Sequence, residues 1–229
     1  MSKEVDVDYN LKPLLFRNYI QSNRRFRIRN TGHTERITAV VVGNLHWVSA
    51  VEVMPMDNVT PFIKSGGLNS SYRFVQMHFH WGGADYCGSE HSLNGRFYPM
   101  EVILLAKWQM LGTSLVARVA PIFQLLGPPL DNPSLQIIVD MLPRVRYRGQ
   151  RAIINKGLNL EGFLPSRREL FFRYSGSLSV PPCSEVVTWT VYPKLVYISR
   201  GQYQTWEIFH KEVHSNSLKR GGYRRNNLK

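Results

Sequence analysis

Along much of this chain apolar and polar residues alternate, the spacing of a strand with one buried face. In "FVQMHFHWGG", residues 74 to 83, a strand sends Met77, Phe79 and Trp81 to one face and His78 and His80 to the other. Similar stretches recur in "RFRIRNTG", "ERITAVVVGN", "HWVSAVEVMP", "YRFVQMHFHW", "MEVILLAKW", "APIFQLLG", "FFRYSGSLSV" and "VVTWTVYPKLVYIS". Most are bounded by Gly, Pro, Asn or Ser, which punctuate turns. Helical spacing is sparse. "NPSLQIIVDMLPRV" carries Leu135, Ile138, Val139 and Leu142 at helix-like intervals after an Asn-Pro-Ser start, and residues 199 to 215 read as a second amphipathic helix opened by Ser199. The pattern predicts a largely β domain with a few surface helices and no linker at which to divide it.

Length agrees with that picture: 229 residues at 43% hydrophobic content can bury one sizeable core, so a single domain over 1–229 is expected. No apolar run is long enough to cross a bilayer, and "MSKEVDVDYNLKPLL" has no signal-peptide core, so the chain as written is expected to be cytoplasmic. In that setting Cys87 and Cys183 stay reduced, and the sequons at Asn58 and Asn69 matter only if the chain is secreted. The formal net charge of +13 raises a rival reading, because basic chains meet phosphates and anionic surfaces. The charge clusters in "RRFRIR", "RVRYRGQR" and "KRGGYRRNNLK", and within the first two "RFRIR" and "RVRY" alternate Arg with apolar residues as a strand with a wet face does. No nucleic-acid motif accompanies them, which argues against a nucleic-acid surface.

The chemistry begins with His78 and His80, half of a metal site on one strand face. Residues 74–101, "FVQMHFHWGGADYCGSEHSLNGRFYPME", then carry "HFHWG", "GSEH" and a return strand. With "NTGH" (30–33), "GFLPSRRELFFRYSGSL" and "SGSLSVPPCSEVVTW" (175–189), this resembles the α-class carbonic anhydrases over most of the chain. The resemblance implies a large twisted, mainly antiparallel β-sheet with a conical cleft, and reversible hydration of carbon dioxide to bicarbonate. It also implies zinc held by three histidines and a water whose pKa the metal lowers to about 7. By the same resemblance His78 and His80 are zinc ligands, Gln76 orients the first of them, and Glu101 is the carboxylate that orients the third. Glu90 and Ser179 form the pair that aims the metal-bound hydroxide, and His33 ferries protons. Leu105, Val119, Leu178 and Trp189 form the apolar wall for carbon dioxide, and His91 makes internal hydrogen bonds.

One position departs. Where the family's return strand reads E-L-H-L, this chain reads Glu101-Val102-Ile103-Leu104, and no histidine lies between His91 and His210. Ile103 therefore stands at the third ligand, and Glu101 is expected to lack its usual partner. The chain also lacks the family's N-terminal tryptophan-rich segment, is shorter after "AKWQM", and ends about where the family has an NWRP-like stretch, so it is expected to be shortened at both ends. If a four-ligand zinc site is worth about 10–16 kcal/mol, one lost ligand weakens binding by about a few hundred- to a thousandfold. The expectation is weak or absent zinc, little hydration, and a binding role toward a protein partner through the cleft or the basic surface, as in ligand-depleted carbonic-anhydrase-related proteins. Two alternatives stand beside it: an active zinc hydratase acting on CO2 and bicarbonate, with Glu101 or waters completing the shell, and a basic phosphate-binding protein on the same fold.

Overall fold

The computed structural model describes residues 8, 10–20, 24–32, 36–37, 46–56, 60–110, 113–126, 130–155, 157–178 and 183–209. Within them the strands are β1 (Leu14–Arg17), β2 (Phe26–Asn30), β3 (Arg36–Ile37), β4 (His46–Pro55), β5 (Phe62–Ser65), β6 (Tyr72–Trp81), β7 (Met100–Met110), β8 (Thr113–Ala120), β9 (Ile122–Leu126), β10 (Arg151–Ile154), β11 (Phe172–Gly176), β12 (Val187–Val191) and β13 (Val196–Ser199). All join one 13-stranded sheet whose main path runs β10-β2-β4-β6-β7-β8-β12-β11. The β8/β12 and β9/β13 pairs are parallel and the remaining pairs antiparallel. The mostly β, mainly antiparallel architecture expected from the alternation is therefore present.

Where the strands differ from expectation, the residues explain it. "VVTWTVYPKLVYIS" is two strands, β12 and β13, because Pro193 offers no N–H to a ladder. β1, β5 and β10 have 4 residues each, too few to show a period. The apolar pattern of β8 is diluted by Ala117, Arg118 and Ala120.

Helix α1 (Pro133–Val139) begins as its sequence predicts. The Asn132 side chain accepts hydrogen bonds from the Ser134 and Leu135 backbone N–H groups, both at 3.1 Å, with Pro133 at the first turn. Leu135, Ile138, Val139 and Leu142 are buried beneath it. A second helix, α2, covers the described residues 200–209, and Ser199 Oγ accepts from the Gln202 N–H at 3.1 Å. As expected of an amphipathic helix, α2 is exposed at Gln204 and Ile208 and supplies core from its other side: Tyr203 and Trp206 are fully buried, and Trp206 lies 4.8 Å ring to ring from both Phe79 and Trp81.

The sheet separates two apolar regions. Met77, Phe79 and Trp81 enter the main core with Val102, Leu104, α1 and α2. A smaller cluster of Ile103, Leu105, Val187, Trp189 and Val191 lies on the other face, where His78 and His80 point. Burying each large side chain of the main core is worth about 1.5–3 kcal/mol, so that face fixes the pleat and thereby the direction of the histidines.

Candidate metal centre

β6 and β7 place the central residues. In their antiparallel register His78 faces Ile103 and His80 faces Glu101, and residues directly opposite share a face. The two imidazole centroids are 5.2 Å apart. Gln76 Oε1 accepts a hydrogen bond from His78 Nδ1 at 3.0 Å, which leaves the Nε2 lone pair of His78 free to ligate. His80 is 1% exposed, and neither of its ring nitrogens has a hydrogen-bond partner among the described residues. Its nearest carboxylate is Glu90, whose Oε1 lies 3.6 Å from Nδ1, an electrostatic contact too long for a hydrogen bond. Burial holds the His78 pKa well below the ordinary range, with His80 and Arg118 adding to the effect, so His78 is neutral near pH 7 and fit to ligate.

The loop between the strands positions Glu90. Gly88 and Ser89 donate from their backbone N–H groups to the Tyr98 carbonyl at 2.8 and 2.9 Å, and Ser89 Oγ donates to the His91 carbonyl at 2.7 Å. A methyl at Gly88 would overlap the Pro99 carbonyl, so this approach requires glycine.

With Ile103 in place of the usual imidazole, Glu101 has other partners. Its Oε2 accepts from the Glu90 and His91 backbone N–H groups at 2.7 and 2.8 Å, and its Oε1 meets His91 Nδ1 at 2.5 Å. The loop thus closes on the carboxylate through both of its oxygens. Burial pushes the Glu101 pKa up, but the His91 charge and these hydrogen bonds outweigh it, and the net direction is down. For His91 burial pushes down and the Glu101 carboxylate, with its hydrogen bond, prevails, so the net direction is up. The expected internal role of His91 is seen directly, with Nε2 at 2.6 Å from the Tyr174 hydroxyl.

The apolar wall is only partly as expected. Leu105 and Trp189 belong to the cluster around Ile103, and Leu178 packs against it. Val119 does not: it sits opposite Leu104 and Thr190, faces the main core, and is 1% exposed there. Alternation along β8 brings Arg118 to the wall in its place, because one residue of shift changes the face. Arg118 is 4% exposed, its guanidinium lies 5.1 Å from the Trp189 ring centroid, and burial lowers its pKa. Trp189 also stacks on Tyr174 at 6.0 Å and meets His91 edge-on at 5.0 Å. The sequence reading missed Arg118 and Tyr174. A lone arginine inside "SLVARVA" was the available signal. His33 and Ser179 lie outside the described residues, as does Asn58.

A mostly β sheet with two buried histidines on one face, an amide behind the first imidazole and a buried carboxylate across from the second is a carbonic-anhydrase-type scaffold. Residues 1–227 match the family model described as eukaryotic-type carbonic anhydrase. The chain is 32% identical over 206 residues to carbonic anhydrase 12 of Homo sapiens, covering 86% of this chain and 52% of that protein. It is 32% identical over 211 residues to carbonic anhydrase 15 of Mus musculus, covering 86% and 60%, and 34% identical over 151 residues to mitochondrial carbonic anhydrase 5A of Rattus norvegicus, covering 63% and 49%. The chain belongs to the carbonic anhydrase family, and it spans about half to three fifths of the length of these relatives.

The family is generally zinc-dependent, and the donor set here can be tested against that metal. His78 and His80 fit two positions, since one is oriented by Gln76 and the other keeps unpartnered, buried nitrogens. The third position does not fit: Ile103, directly across from His78 and 0% exposed, has no lone pair. Among the described residues no group of three His, Cys, Asp or Glu side chains is arranged to hold a metal.

Proposed function

We propose that this protein keeps the carbonic-anhydrase fold with an incomplete zinc site, hydrates carbon dioxide little or not at all, and acts by binding a protein partner through its cleft or basic surface. The observation that carries the reading is Ile103 opposite His78 in the β6/β7 register. With two imidazoles, a bound zinc keeps two or more open positions, so no single hydroxide is fixed for attack. Meanwhile Glu101 is held by His91 and the loop backbone, so the carboxylate that could complete the shell is already committed.

A second reading, an active zinc hydratase acting on CO2 and bicarbonate, is favoured by one specific observation. His80 has both nitrogens buried and without a hydrogen-bond partner among the described residues, which is costly for an imidazole with no ligand to hold. Elemental analysis of the purified chain after dialysis against a weak chelator, with carbon dioxide hydration assayed on the same sample, separates the two. Substoichiometric zinc without turnover is expected. One zinc per chain with turnover would return the protein to the enzymes.

A further inference from the structure

The register around the histidines extends sideways. Ile103, His78, Glu52, Arg29 and Arg151 are successive cross-strand partners on β7, β6, β4, β2 and β10, and so form one row on one face. The row ends with two arginines directly opposite each other, an arrangement that destabilises an unliganded sheet. Arg29 is satisfied within the row: its Nε and Nη2 donate to Glu52 Oε2 at 2.9 and 2.7 Å. Arg151 has no such carboxylate among the described residues, and neither has Arg148 on the adjoining loop.

That loop is exposed at Arg148, Gly149, Gln150 and Arg151, as a wet face is, and its backbone is built against β2. Asn30, fully buried, donates from Nδ2 to the Val145 carbonyl at 2.9 Å and from its backbone N–H to the Gln150 carbonyl at 3.0 Å. The Gly149 N–H donates back to the Asn30 carbonyl at 2.8 Å, and the Gly32 N–H donates to Asn30 Oδ1 at 2.9 Å. Both glycines have positive φ, 84° and 72°. At Gly32 a methyl would overlap the Arg148 side chain, so the missing Cβ is the seat on which that arginine lies. The result is an open cavity of about 320 Å³ that gathers Arg29, Arg148 and Arg151 with Glu52. Residues from "RFRIR" and "RVRYRGQR", about 120 positions apart, meet in it.

We propose that this cavity binds a phosphorylated small molecule, a phosphate monoester on a body about the size of a sugar. Three guanidiniums against one carboxylate leave two positive charges, the complement of a dianion. Guanidinium forks match tetrahedral oxyanions in a way that dispersed lysines do not. The cavity exceeds a bare phosphate, which argues for an ester, and it lies along the sheet from the histidine pair, with Glu52 between them.

The test is thermal unfolding of the full chain titrated with glucose 6-phosphate or inorganic phosphate, at ionic strength held constant with potassium chloride. A saturable rise in Tm is expected with both, tighter for the ester. Arg148→Gln and Arg151→Gln should each weaken the midpoint by about tenfold, while Arg167→Gln, on another surface, should leave it unchanged. Without ligand, Arg151→Gln should raise Tm above that of the parent, because one of the two facing like charges is gone, and this also shows that the variant folds. The proposal is overturned by a shift that chloride reproduces, by a shift that survives in the Arg148→Gln/Arg151→Gln double variant, by equal affinity for the ester and the bare ion, or by a response to heparin without any to glucose 6-phosphate.

Discussion

The two faces of β6 are made from the same ten residues, yet they have different tolerances. On one face Met77, Phe79 and Trp81 are packed against α2 and the main core, where most contacts are apolar and shape complementarity governs stability. On the other, His78 and His80 sit beside Ile103, Arg118, Glu90 and Trp189, where the balance is set by hydrogen bonds and charge. A metal ligand can be lost from the second face without touching the first. The fold's stability is held mainly by the apolar face, so the architecture does not depend on which side chain stands at position 103.

The sharpest break of that contrast is Phe79→Ala, which empties a fully buried ring site next to Trp206 and Phe163. It should cost about 3–5 kcal/mol in urea denaturation. A loss below about 1 kcal/mol would mean the main core does not carry the fold. Next comes Ile103→His on the opposite face, which offers the third imidazole across from His78. Zinc affinity should rise by about a few hundredfold or more in a competition titration with a chelator. No gain would show that committing Glu101 to His91 has spoiled the site beyond one residue.

Glu101→Gln should cost about 1–3 kcal/mol, because it weakens a buried acceptor of two backbone N–H groups and an imidazolium. The pH dependence sharpens this. His91 has its folded pKa raised, so its contribution is complete below the unfolded value near 6.5 and is lost as pH rises through the folded pKa. Glu101 has its folded pKa lowered, so its contribution is present above about 4.5 and is lost as pH falls through the folded pKa. His78 works against the fold below pH 6.5, where the unfolded imidazole takes a proton that the folded one refuses. Histidine proton NMR should therefore place the His91 midpoint above 6.5 and the His78 midpoint below it. Glu101→Gln should move the His91 midpoint down, and an unmoved midpoint would contradict the pairing. The smallest effect is His80→Leu, which replaces an imidazole lacking partners by a chain of similar size. Its expected change is within about 1 kcal/mol of neutral, in either direction. A large loss of stability would instead indicate that His80 holds a ligand in solution.

Much of this was legible from the residues. Alternation located β4 and β6 to the residue, the Asn-Pro-Ser and Ser starts located both helices, and the Gln76, His78, His80 spacing gave a common strand face. The facing of Ile103 toward the histidine side could also be read, because it is two residues from Glu101 on a strand whose partner was identifiable. Other features were not legible, because they depend on pairing between distant segments. Val119 was assigned to the wall although the register turns it to the core and turns Arg118 out. That Glu101 takes its hydrogen bonds from a loop ten residues earlier depends likewise on tertiary folding.

The sequence by itself determined the mostly β class, the family, and that Ile103, which carries no lone pair, stands two residues after Glu101, since these depend on period-two patterning and on residue identity. Only the tertiary structure decided which carboxylate His91 neutralises, which face Arg118 occupies, and that two basic segments about 120 residues apart end in one cavity. Strand alternation fixes the relative facing of neighbours in one segment. The register between segments is set by packing of the whole sheet, and a single-residue shift there exchanges every face.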